Sequence, residues 1–287
     1  MPIKICVVGH LNIDYIFSAE DLIEQSVSPP LVGGTAFNAA KALKARNLEP
    51  IIVGKIGNDY AGQLIKQTIQ KAQIAYIIKE DETKPTGCCR ILLSPANSGC
   101  QYFKDVSDDA NQFDLEFLKV ALTDINKMDV VLVAGHFLTH RDTKQSMEFV
   151  DFIDERAASV ILDVVPHNIY QRITLRQFNQ IVRDRTNVII AEFSTLMRLV
   201  DPTLVPGDPT EEDWELLSAN YGTETFVIRY GAGNISKQQI RQRQGHDELQ
   251  ILEPELNTGF ANLNPYERRG FGDVLTAEVI SKLFRTP

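Results

Sequence analysis

Short apolar runs alternate with segments of helical period along most of the chain. Ile3–Val8 is a near-continuous apolar run, the pattern of a strand buried on both faces. Ala36–Asn47 follows with helical spacing, and Asn47 marks a helix stop. Ile51–Val53 reads as a second strand. Ala61, Leu64, Ile65, Ile69 and Ala72 then fall on one face of a helix. Further strands are predicted at Val130–Val133, Val160–Val165, Val188–Ile190 and Phe226–Tyr230, with helices at Lys144–Ala157, Leu175–Arg183 and Thr210–Asn220. Thr210 and Asp213 are spaced as a capping box, and Gly222 lies just past the helix end. This βαβ alternation implies a mainly parallel sheet covered by helices on both faces.

Two segments, Asp14–Leu31 and Thr86–Phe103, break the rhythm with β-formers and turn residues. Within the second, Pro95 to Gly99 separates Arg90–Leu93 from Gln101–Phe103, which reads as a hairpin. Together they predict a small β-sheet lid. The stretch from Lys237 to Arg243 is expected to be a polar edge strand. No internal repeat or linker is evident, so a single domain over 1–287 is expected, with lid segments at about residues 14–32 and 86–105.

Of the 287 residues, 44% are hydrophobic and 23% charged, ordinary values for a globular protein. No apolar run approaches the roughly 20 residues of a membrane span, and the N-terminal run is too short for a signal peptide. Cys6, Cys88, Cys89 and Cys100 form no C-x-x-C pair, so reduced thiols and a cytoplasmic location are expected. A formal net charge of −9 argues against a nucleic-acid partner. It leaves ATP open, because a few backbone N–H groups hold a triphosphate on an acidic protein.

Two places carry candidate chemistry. After the strand Ile3–Val8 comes Gly9-His10-Leu11-Asn12-Ile13-Asp14. A carboxylate beyond the end of a parallel strand suits a ligand with neighbouring hydroxyls. Gly33 and Gly34 allow close backbone approach, and Asn38 sits at the start of the following helix. Alone, the same residues equally describe a tight turn and a cap. Near the other end, Gly270-Phe271-Gly272-Asp273 runs into an apolar helix. First-turn amides have no partner within the helix and suit an oxyanion, with Asp273 placed as a proton acceptor. Its plain alternative is an ordinary helix start. His10, His136 and His167 each follow a predicted strand, where a polar residue is more often part of a loop than a ligand.

The run from Gly33 to Gly62 (GGTAFNAAKALKARNLEPIIVGKIGNDYAG) resembles, almost position by position, the first signature of the ribokinase-like carbohydrate kinases, the PfkB family. Asn12-Ile13-Asp14 is similar to that family's N-x-D segment, Asp109-Ala110-Asn111 to its G-A-N, and Gly270-Phe271-Gly272-Asp273 to its G-A-G-D. The resemblance implies a three-layer α/β/α sandwich with a β-sheet lid, acting as a kinase with ATP and Mg2+. Asn12, Asp14, Gly33, Gly34 and Asn38 would hold a sugar or nucleoside acceptor. Gly270, Phe271 and Gly272 would form the anion hole, and Asp273 would be the catalytic base.

The nucleotide half departs from the pattern. Ala191-Glu192-Phe193-Ser194 stands where the family has N-x-x-E, and Arg229 replaces the threonine of T-x-G-x-x-G. Gly231 and Gly233 keep that motif's glycine core and are the nucleotide-binding candidates. Asp163 matches the first residue of D-x-N-P and is the candidate to approach the metal through water. Phe271 stands where the family has alanine; Arg268 and Arg269 are either phosphate clamps or a solvated pair. The chain ends soon after Asp273, where family members continue with helices walling the adenine pocket. Besides a sugar kinase, two readings stay open: a non-catalytic sugar- or nucleoside-binding member, and a nucleoside kinase. A homodimer through the edge of the lid sheet is a further expectation.

Overall fold

The computed structural model describes residues 3–18, 29–93, 100–104, 115–123, 128–140, 143–165, 168–231, 235–244 and 248–284. The chain divides into two compact units, one of Met1–Ile125 with Asn262–Pro287 and one of Asn126–Ala261.

The first unit begins β1 (Lys4–Val8), β2 (Asn12–Phe17), β3 (Leu31–Gly33), α1 (Thr35–Lys44), β4 (Glu49–Gly57), α2 (Tyr60–Lys71) and β5 (Ala75–Asp81). It continues with β6 (Gly87–Leu93), β7 (Cys100–Lys104) and α3 (Leu115–Thr123). β1 pairs in parallel with β4, and β4 with β5. Ile5, Cys6, Val7 and Val8 are all buried, as the apolar run requires. Burial pushes the Cys6 thiol up to about 12. A separate four-stranded sheet runs β3-β2-β6-β7. β6 alternates buried positions with more exposed ones, and Ile16, Cys89, Ile91 and Leu93 form a buried cluster. β6 and β7 pair antiparallel, Arg90 opposite Phe103, as the hairpin pattern predicts. The intervening turn, and most of the predicted lid segment before β3, lie outside the described residues.

Two local devices start and stop α1. No side chain caps its N-terminus. Gly34 turns the backbone at φ +91 instead, and the Ala36 N–H donates to the carbonyl of His10 at 3.2 Å. Asn47 follows the last turn at φ 60, in the left-handed region that asparagine tolerates.

In the second unit the order is β8 (Met128–Ala134), α4 (Phe137–His140), α5 (Thr143–Asp154), β9 (Ala157–Val164), α6 (Leu175–Val182), β10 (Val188–Glu192) and α7 (Phe193–Val200). α8 (Glu211–Asn220), β11 (Thr225–Tyr230), β12 (Lys237–Gln244) and β13 (Glu248–Asn257) complete it. β8, β9, β10 and β11 pair in parallel in that spatial order. The Thr210–Asp213 capping box forms as predicted, and Thr174 with Gln177 makes another at α6.

One expectation fails here. β12 is not an edge strand: β11 flanks it on one side and β13 on the other, both antiparallel. Gln238 and Arg241 are buried there, and the strand's arginines find partners in the fold. Arg241 grips Glu211 with two bonds of 2.6 Å, and Arg243 donates to the carbonyls of Ser218 and Tyr221.

The chain then returns to the first unit with α9 (Pro265–Arg268) and α10 (Phe271–Phe284). α10 packs along α1, with Arg46 and Glu278 paired at 3.9 Å. Among the described residues, no helix is long and apolar enough to cross a membrane.

Candidate active site

The first unit brings together both ends of the predicted chemistry. On β2, Asn12 and Asp14 are two residues apart and therefore share a face. Asn12 Nδ2 donates to Asp14 Oδ1. Across the small sheet Asn12 lies opposite Gly33. A Cβ on Gly33 would collide with the Asp14 carboxylate, so glycine is what lets that carboxylate sit there. At Gly34 the φ of +91 already favours glycine, and a Cβ would meet the His10 carbonyl and stand 2.8 Å from Asn12 Oδ1. Asp14 is buried.

The second element arrives with α10. Gly270 sits at φ +68, and the Val274 N–H donates to its carbonyl at 3.1 Å, closing the first turn. The amides of Phe271, Gly272 and Asp273 precede the first intrahelical donor, so they face outward as a positive end. A Cβ on Gly270 would stand 2.8 Å from Asn38 Nδ2. That same Nδ2 donates to Asp273 Oδ2 at 3.1 Å. Helix α1 and the glycine loop therefore meet at one side chain. Asp273 belongs to the first turn of α10, where a carboxylate is favoured electrostatically.

Arg269 is the residue whose position the sequence left undecided. Its NH1 lies 3.2 Å from Asp14 Oδ2, with side chains 18% and 7% exposed. It is paired with Asp14 and is not a solvated surface group. Arg268 is held differently, its Nε donating to the Leu263 carbonyl at 3.0 Å. The only signal in the sequence was a pair of arginines directly before the glycine loop.

In the second unit, three polar residues occupy the carboxyl ends of adjacent parallel strands. Asp163 is on β9, Glu192 ends β10, and Arg229 lies opposite Glu192 on β11. Arg229 and Asp163 are both buried, with NH1 3.9 Å from Oδ2. Arg229 Nε also donates to Gln238 Oε1 at 3.3 Å. A buried carboxylate that faces a guanidinium already has its countercharge, so this arrangement does not fit a divalent ion at Asp163. Among the described residues, no group of three or more His, Cys, Asp and Glu side chains is placed to hold a metal. Ala191 is buried and Ser194 lies in the first turn of α7. Gly231 adopts φ +87, where a Cβ would strike Ser236 Oγ. Gly233, His167 and the Asp109-Ala110-Asn111 segment lie outside the described residues. His10 and His136 are buried.

Known proteins share this architecture. An uncharacterized sugar kinase from Pyrococcus horikoshii superposes with a TM-score of 0.69 at 16% identity, covering 99% of this chain and 85% of that one. Ribokinase from Giardia lamblia gives 0.69 at 15% identity, over 99% and 84%. Adenosine kinase from Anopheles gambiae gives 0.72 at 13% identity, over 98% and 90%. These likenesses show the fold: a ribokinase-like α/β architecture with a mainly parallel sheet and a small separate sheet. No curated protein matches the chain in sequence. The sequence profile described as the pfkB family carbohydrate kinase matches residues 2–235, and the chain belongs to that family.

Proposed function

We propose that this protein transfers the γ-phosphoryl group of ATP to a hydroxyl of a sugar or related small alcohol. The observation that carries the reading is the contact of Asn38 with both Asp273 and Gly270. It supports the reading because Asp273 and the N-terminal end of α10 lie beside Asn38, as a base and an anion hole next to an acceptor would require. Asn12, Asp14 and Asn38 bind the acceptor, and Gly33 and Gly34 give it room. ATP supplies the transferable phosphoryl group; an ATP complex of the Pyrococcus horikoshii sugar kinase supports its use in this fold.

In the reaction, the acceptor hydroxyl gives its proton to the Asp273 carboxylate as its oxygen bonds to the γ-phosphorus. The bond from that phosphorus to the β,γ-bridging oxygen breaks, and ADP leaves. The amides of Phe271 and Gly272 face the charge that builds on the phosphoryl oxygens. A positioned carboxylate base supplies a factor of about 10² to 10⁴. Because Asp163 is paired with Arg229, no step is assigned to a divalent ion held there.

One observation favours a second reading, in which the acceptor site binds without phosphotransfer. The Arg229–Asp163 pair occupies strand ends that the family keeps for metal and phosphate. ADP release measured on a panel of sugars and nucleosides, with Asp273→Asn as control, decides between them. Turnover that falls by about 10² or more in the variant, with acceptor binding retained, supports the kinase. Acceptor binding with no ADP release under any condition supports the binding protein. Turnover of nucleosides alone would move the acceptor class.

A further inference from the structure

We infer that the acceptor carries an anionic group, a carboxylate or a phosphate monoester, and that Arg269 recognises it. The inference rests on the reading of Asp14 as an acceptor-binding carboxylate. Asp14 Oδ1 already accepts from Asn12 Nδ2, and Oδ2 faces Arg269 NH1 at 3.2 Å. A hydroxyl that bonds to Asp14 must therefore lie beside a guanidinium.

An arginine has five donors and no acceptor, so it engages a ligand only through the ligand's lone pairs. Arg269 NH1 is buried and makes no hydrogen bond, because its approach to Asp14 is close but poorly aligned. A buried donor without an aligned acceptor is costly, and an anionic oxygen satisfies it about twice as strongly as a neutral one. The protein as a whole carries a formal charge of −9, which repels anions. A neutral polyol offers that guanidinium only hydroxyl oxygens, which are weaker acceptors than an anionic oxygen. An acidic sugar uses both members of the pair, its hydroxyl on Asp14 and its anion on Arg269.

The neighbouring alternative is a clamp on the donor phosphates, since Arg269 directly precedes Gly270. The guanidinium faces the Asp14 carboxylate on β2, so the geometry points to the acceptor.

The test is calorimetric binding of matched ligands to the full chain at low salt: neutral hexoses, the corresponding aldonates, and the corresponding hexose monophosphates. The aldonate and phosphate arms separate the two anion sources. At least one anionic ligand is expected to bind about tenfold or more tightly than its neutral counterpart. Arg269→Gln removes that preference, Arg269→Lys keeps part of it, and ATP affinity stays unchanged in both; thermal unfolding confirms that each variant folds. Anionic ligands that bind no tighter than neutral ones overturn the inference, as does a preference that survives Arg269→Gln. Loss of ATP affinity with acceptor preference intact would assign Arg269 to the donor and overturn it too. Binding needs no turnover, so a chain that prefers anionic ligands and never releases ADP rejects the kinase reading while leaving this one standing.

Discussion

Asn38 Nδ2 and Asp273 Oδ2 are joined by a 3.1 Å hydrogen bond across 235 positions of sequence. The bond ties the first turn of α10 to α1. Asn38→Asp would place a second carboxylate at about that distance. Two carboxylates so close cannot both ionise readily, so the acid limb of the kcat profile is expected to move up by about one pH unit or more. The pH–rate profile of the variant measures this. An unchanged limb would mean that the two side chains do not touch in the working protein.

Gly33 and Gly34 are neighbours with different reasons for being glycine, and their alanine variants are expected to fail differently. At Gly34 the φ of +91 and the His10 carbonyl both oppose a Cβ, and neither is a flexible side chain. Gly34→Ala is expected to cost about 2 kcal/mol or more and lower the melting temperature by about 4–8 °C. At Gly33 the Cβ meets the Asp14 carboxylate, the far end of a side chain that is able to swing away. Gly33→Ala is expected to keep most of its stability and to weaken acceptor binding by about tenfold, as Asp14 is displaced. Thermal melts and acceptor titrations on both variants separate the effects; equal losses of stability in the two would refute the distinction.

What the sequence made legible was local. The α8 capping box needs only Thr210 and Asp213, and the stop after α1 needs only Asn47. The β6–β7 pairing needs only two strand-forming runs with a turn between them. Buried polar residues in β12 were not legible. Gln238 and Arg241 look like surface positions until Arg229 and Glu211 are brought to them by the fold. Arg269 was opaque for the same reason. Its partner, Asp14, is at the other end of the chain, and charge pairing across such a separation leaves no local pattern. The glycine motifs pointed to the candidate site, while the charge pairing beside it depended on long-range contacts.

Acid should destabilise the first unit through two carboxylates. Burial alone would raise the pKa of Asp59. Hydrogen bonds from Thr86 Oγ1 at 2.6 Å, and from the Thr86 and Gly62 amides at 2.8 Å each, outweigh it and hold the group below its ordinary 3.8. Lys55 and Thr83 hold Asp81 lower still. A depressed folded-state pKa contributes stability that is fully present above the unfolded value, near 3.8, and is lost as pH falls through the folded one. Urea midpoints should thus be level from pH 5 to about 7 on this account and fall steeply below about pH 4. Thr86→Val, which removes the shortest bond to Asp59, should flatten that fall. An equally steep acid limb in the variant would show that Asp59 is not a source of it.

Arg229 and Asp163 are both buried in the second unit, with exposures of 5% and 10% and a separation of 3.9 Å. The separation is long for a direct bond, yet both groups are largely removed from solvent. Removing one partner takes the nearby opposite charge from a buried group, and Arg229→Met is expected to cost roughly 3 kcal/mol in urea unfolding. Asp163→Asn alone should cost a comparable amount, because it takes the nearby carboxylate from the buried guanidinium. The double variant removes both charges and should cost markedly less than the sum of the singles, since replacing a whole buried pair with uncharged groups is often nearly neutral. An interaction energy below about 0.5 kcal/mol in this cycle would show that Asp163 does not depend on Arg229 for its countercharge. Asp163 would then again be open to a cation, and the case against a metal at the β9 end would fall with it.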